Sequence, residues 1–212
     1  MSIIHYQLSI VHSYILSTAY LAPVQYYTKL AQGDCLIERE EHYQKQTYRN
    51  RCHIASPNGV LPLSIPVEKT GEKCCTKDMR ISKHSDWQTL HWRAIMTAYN
   101  STPFFEYYED DLRPFYEKEW QFLFDFNNEI QQKIIELLDI NTNICFTTDY
   151  KHEYTDAIDL RNSISPRQQQ NDSDFEAKPY YQVFDQKFGF LPNLSIIDLL
   201  FNMGNEAKLW LA

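Results

Sequence analysis

The sequence predicts an α/β fold: a single domain in which a mixed, partly parallel sheet is flanked by helices. Three observations carry this. A strand–helix–strand run lies between Leu8 and Glu38, the opening of a βαβ unit. Two amphipathic helices follow, over 85–100 and 119–140, each with an apolar stripe at i, i+3, i+4 spacing. The 212 residues are 43% hydrophobic with five Gly, enough for one sizeable core and too glycine-poor for a turn-rich β-sandwich.

Each element has its own signal. "LSIVHSYILSTAYL" is β-branched and aromatic and reads as one or two strands. Pro23 opens a helix over "PVQYYTKLAQG" that Gly33 ends, and "DCLIE" is the next strand. "SPNG" is a turn, and "VLPLSIPV" a strand that Pro62 and Pro66 demote to an edge. "EKTGEKCCTKDM" is a polar loop. In "SDWQTLHWRAIMTAYN", Ser85 and Gln88 form a capping box, with Trp87, Leu90, His91, Ala94, Ile95 and Ala98 as the buried stripe. Thr102 and Pro103 start a short helix. Leu123, Phe126, Ile130, Ile134, Leu137 and Leu138 mark the buried face of a long one. "NICFTTDY" is a strand, and the polar stretch 156–179 is a candidate mobile loop or lid. In "LPNLSIIDLLFNMG", Ser195 caps a helix that Gly204 stops, and Asn193 is placed to face a pocket beneath the polar loop.

The net charge of -8 and pI near 5.3 argue against a nucleic-acid or acidic-membrane binder, which presents a broadly basic face, but leave room for a small anionic ligand. Five cysteines without a CxxC pair read as free thiols in a reducing compartment. The N-terminus lacks the basic start of a signal peptide, and no stretch has the ~20 apolar residues of a membrane span. A cytoplasmic protein is expected. His84 and His91 lie two helical turns apart rather than at metal-pair spacing, so no metal site is expected.

Against that acidic background, "YQKQTYRNRCHI" (43–54) holds Lys45, Arg49, Arg51 and His53 and no acid. As a strand, Lys45, Arg49, Arg51 and His53 share one face; as a helix, Lys45, Arg49 and Cys52 align. Either arrangement clamps a phosphate or carboxylate, to which guanidinium groups bind bidentately. The plain alternative is an ion-pair network with Glu38, Glu40, Glu41 or the later "EDD". Cations beside Cys52 lower a thiol's pKa and suit acyl transfer through a thioester, although on a strand His53 points to the opposite face. A half-buried inert thiol is the alternative there, and a core histidine with one hydrogen-bond partner is the reading for His91.

Four stretches in order, "STAYLAPVQYYTKL" (17–30), "IEREEHYQKQTYRNRCHI" (37–54), "NGVLPLSIPV" (58–67) and "LPNLSIIDLLFNMG" (191–204), resemble the WbqC-like family of bacterial proteins, and the helix at 87–108 also fits. The resemblance spans 17–212 as one domain and leaves 1–16 as an N-terminal extension. The family's opening His-Gln-Pro is replaced here by Ser17, Thr18 and Ala19, so no role of that histidine carries over; Lys45, Asn50 and Arg51 match its basic element. The resemblance implies a setting in surface-polysaccharide biosynthesis, and a transferase moving an acyl or aminoacyl group to an amino sugar or nucleotide-linked sugar. In that reading Lys45, Arg49 and Arg51 hold the anion, and Tyr20, Gln25 and Asn50 orient the acceptor. Glu38, Cys52 or His53 does the acid–base or covalent work. The alternative is a non-catalytic module that binds a sugar nucleotide or a partner biosynthetic enzyme. The cofactor is left unknown.

Overall fold

Strand β1 (Tyr14–Ser17), helix α1 (Val24–Gln32) and strand β2 (Cys35–Glu38) form the βαβ unit that opens the fold. The computed structural model describes residues 14–70, 73–169 and 172–212. β1 and β2 are parallel, with Tyr14 opposite Cys35 and Leu16 opposite Ile37. Tyr14, Ile15 and Leu16 thus belong to the sheet although they precede Ser17; residues 1–13, the rest of the stretch read as an extension, lie outside the described residues.

The central sheet is completed by β5 (Ile144–Phe146) and β6 (Ile158–Asp159), in the order β5-β2-β1-β6 with every pair parallel. Ile15, Leu16, Cys35 and Ile37 are buried from both faces, as strands between helices must be. The chain runs from β1 to β2 to β5 in one direction, then crosses back to place β6 on the far side of β1. The carboxyl ends of β1 and β6 therefore flank a topological switch point, where open parallel sheets leave a crevice for ligands. The antiparallel pairing sits in two separate hairpins: β3 (Arg51–Ser56) with β4 (Gly59–Ser64), and β7 (Ile164–Ser165) with β8 (Gln168–Gln169).

Helices α2 (Trp87–Tyr99), α3 (Phe105–Leu112), α4 (Leu123–Leu137), the short α5 (Asp185–Phe188) and α6 (Ile196–Met203) complete the domain. Tyr20, His91, Trp87, Tyr116 and Phe126 pack ring against ring in its core. Several local expectations are corrected. Asp86, not Ser85, caps α2, accepting from the Thr89 N–H. Leu90 is 60% exposed, because it sits well round the helix from Trp87, His91 and Ile95. Thr102 bonds back to the Tyr99 carbonyl, so α3 begins at Phe105. Ser195 donates to the Leu21 carbonyl rather than capping with its side chain. The polar stretch 156–179 is no simple loop: it supplies β6 to the central sheet and carries the buried Arg161.

Candidate functional site

The segment 43–50 is neither strand nor helix. It is a run of turns between β2 and β3, with Gln46 at φ 60. Its cations are therefore not aligned by a period. Arg49 folds inward and is 3% exposed, its Nε and Nη2 reaching Glu41 Oε1 and Oε2 at 2.7 and 2.6 Å. Nη2 also donates to Ser17 Oγ at the end of β1, at 2.7 Å. Arg161, just beyond β6, is equally buried. It binds Asp159, Glu38 and the carbonyls of Lys151 and His152, between the rings of Tyr150 and Tyr154.

These two arginines floor an open cleft of about 480 Å3 at the switch point. Lys45 and Arg167 rim it, with Thr47 and Asn162 between, and no acid lines it. Arg49 is neutralised by Glu41, and Arg161 faces two carboxylates. Lys45 and Arg167 have no carboxylate partner among the described residues; the Arg167 guanidinium donates to the amide oxygen of Gln46. The free positive charge of the cleft therefore resides on these two side chains, and a guanidinium held by a neutral amide can exchange it for a phosphate.

A second cleft of about 560 Å3 adjoins the first, and Ser165 lines both. It holds Gln25, Tyr48, His53, Asp172, Phe175 and Asn193. Gln25 is locked: its amide donates to Asp172, accepts from Asn193, and its N–H is capped by Asn193 Oδ1. Asp172 also pairs with the buried Lys29 at 3.0 Å. Asn193 faces this cleft in a left-handed conformation, φ 53. Of the non-glycine residues in this conformation among the described residues, Leu21, Gln46, Asp139 and Asn193, only Asn193 lines a cleft described here. His53 is half-buried, and burial, then the charge of Arg51, lowers its pKa.

Other expected site residues have structural roles instead. Glu38 is fully buried, accepting from Thr147, the Glu40 N–H and Arg161, so it has no free oxygen for general-base work. Cys52 points from β3 into the core, and burial pushes its thiol well above the usual range; the expected cationic activation is absent because Arg51 and His53 lie on the other face. Native protein is expected to react with iodoacetamide at the part-exposed Cys74 while Cys52 stays unmodified, read by peptide mass; rapid labelling of Cys52 would contradict its burial. Tyr20 is also a core residue, its hydroxyl 2.9 Å from both His91 Nδ1 and Tyr116. Asn50 ties its side chain to the Ile65 carbonyl. Arg51 lines neither cleft and donates to Ser64 Oγ.

Sequence reasoning does not single out Arg161 or Arg167 as ligand residues. The only available signal was two arginines six apart in the polar stretch 156–179. The five cysteines are free thiols. Among the described residues no three His, Cys, Asp or Glu side chains gather as metal ligands, and no helix is long and apolar enough to cross a membrane.

Comparison with known proteins gives a family but no activity. No solved structure matches the chain. A protein of Mycobacterium tuberculosis named "Uncharacterized protein Rv1507c" is 27% identical over 198 residues, covering 81% of this chain and 84% of its own. The WbqC-like protein family matches residues 18–173, a span that begins just after β1 and contains the turn segment 43–50, Arg161 and Arg167, so the chain that builds the cationic cleft belongs to the WbqC-like family.

Proposed function

We propose that the protein is a transferase acting on a phosphate-bearing, sugar-linked intermediate, which it holds by its anion in the cationic cleft. The observation that carries this is a cleft lined by no acid outside the carboxyl ends of β1 and β6, where Lys45 and Arg167 stand without a carboxylate partner among the described residues. The family setting in surface polysaccharide supports a nucleotide-linked or amino sugar as that intermediate, with acyl or aminoacyl transfer as the reaction. With Glu38 and Cys52 committed to the interior, His53 is the candidate left for proton transfer. Its lowered pKa leaves a neutral imidazole at pH 7, as a base requires.

The test is ligand-induced stabilisation across phosphate, nucleotides, nucleotide-sugars and acyl phosphates. Lys45→Ala and Arg167→Ala are each expected to weaken binding of the stabilising ligand by about tenfold or more, with folding retained, since each removes a charge-assisted contact. Unchanged affinity in the double variant would place the anion elsewhere. A non-catalytic binding module is the second reading, favoured by the removal of two of the three expected catalytic groups. It predicts binding without product from a complete set of donors and acceptors.

A further inference from the structure

The second cleft contains two polar groups whose hydrogen-bonding capacity is unused. Tyr48 is 9% exposed, and its hydroxyl has no partner among the described residues. Other buried tyrosines mostly have partners: Tyr26 donates to the Ser17 carbonyl, and Tyr99 and Tyr180 donate to Asp198, while Tyr27 shares with Tyr48 the lack of one among the described residues but lines neither cleft. The Tyr48 oxygen is not one of the sealed orphan atoms among the described residues, which are Asn127 Oδ1 and Asn202 Oδ1, and Tyr48 lines the second cleft. His53 lies edge-on to Tyr48, with ring centroids 5.7 Å apart, and its ring nitrogens have no partner either. A buried polar group left open beside a cavity marks a place where a ligand completes the bonding.

The chemistry of the pair selects the ligand. Burial raises the Tyr48 phenol to about 12, so it stays a neutral donor. A neutral His53 offers one donor and one acceptor. A group that both donates and accepts fits such a pair, and a hydroxyl does so. An anion does not: Asp172 lies in the same cleft, already satisfied by Lys29 and Gln25. An ammonium finds no uncompensated carboxylate there among the described residues. Phe175 adds an apolar face of the kind on which a sugar ring's C–H surface rests. The volume lies within the range of small-molecule sites. Ser165 on the shared rim, and Arg49 next to Tyr48 in sequence, tie this cleft to the cationic one.

From this we infer that the second cleft is the sugar subsite of a sugar phosphate, whose phosphate occupies the cationic cleft while Tyr48 and His53 hydrogen-bond the sugar hydroxyls. The inference rests on the anion reading of the first cleft, and calorimetric titration separates the two. The probes are inorganic phosphate, the 1-phosphates of glucose, galactose, mannose and N-acetylglucosamine, and UDP against UDP-N-acetylglucosamine. At least one sugar-bearing probe is expected to bind about tenfold more tightly than its sugar-free counterpart. Tyr48→Phe, which removes only the open hydroxyl, is expected to erase several-fold of that advantage and leave phosphate and UDP unchanged. His53→Ala is expected to do the same. Equal affinity of every sugar-bearing probe and its counterpart overturns the subsite, as does equal weakening of both by Tyr48→Phe. If phosphate and UDP do not bind, the cationic-cleft reading falls and this inference with it.

Discussion

Replacing Arg49 by Met is expected to lower the unfolding free energy by about 3–5 kcal/mol, measured by urea denaturation. The Arg49 guanidinium and its Glu41 carboxylate are both nearly inaccessible, 3% and 5% exposed, and joined by two short charge-assisted bonds. Removing the cation leaves a carboxylate with no water and no counter-charge, the costly half of breaking a buried pair. Ser17 Oγ at the carboxyl end of β1 loses its donor as well. The double variant Arg49→Met/Glu41→Gln is expected to recover part of the loss, because no lone charge remains. Lys45→Ala, at an exposed position of the same cleft, is expected to change stability by no more than about 0.5 kcal/mol. Equal effects of Arg49→Met and Lys45→Ala would refute this division of labour. The contrast also governs how binding data are read: a ligand lost from the Arg49 variant reports a disturbed cleft floor, whereas one lost from the Lys45 or Arg167 variant reports a missing contact.

What the sequence revealed of this division depended on the range of the interactions involved. The βαβ opening was legible because period, Pro23 and Gly33 are local signals and agree with one another. The basic segment was not, because a period test presupposes a regular element, and 43–50 is a string of turns that passes through a left-handed Gln46. The ion-pair alternative for Arg49 was visible in nearby Glu41, and the structure realises it. Arg161 and Arg167 meet Glu38 and Gln46 across 123 and 121 residues of chain, a proximity that no pattern in the sequence encodes. For Cys52, sequence adjacency to two cations suggested activation. Strand alternation turns the thiol away from both, and burial then acts unopposed by them. The likeness of four stretches to the WbqC-like family reached the right family, but family membership alone could not distinguish cations that floor the cleft from cations that are free to meet a ligand.

His91 is a group whose pH behaviour can be worked out, and it connects the core to the site. Its ring is 6% exposed, stacked on Tyr20, edge-on to Trp87, with Nδ1 2.9 Å from the Tyr20 hydroxyl. Burial lowers its pKa from 6.5 to about 4, against a smaller opposing effect from the Ser64 backbone. Between those values the unfolded chain binds the proton and the native one does not, so stability falls as pH decreases. The contribution is intact above about pH 6.5 and amounts to about 3 kcal/mol lost by pH 4. Asp198, whose pKa burial raises, titrates in the opposite sense, so the wild-type curve alone does not isolate the histidine. His91→Gln does: urea unfolding at pH 7 and pH 4.5 is expected to show the wild type losing about 2–3 kcal/mol more than the variant, and parallel curves would exclude His91 as the source. The loss bears on the ligand site because Tyr20, the partner of His91, donates its backbone N–H to the Tyr48 carbonyl, and the strained Leu21 (φ 40) follows it. With both ring nitrogens protonated, the Tyr20 hydroxyl can only accept from Nδ1, its own proton turning to the Tyr116 oxygen. Any shift of Tyr20 reaches the second cleft through its backbone N–H, which bonds the carbonyl of the residue whose phenol lines that cleft.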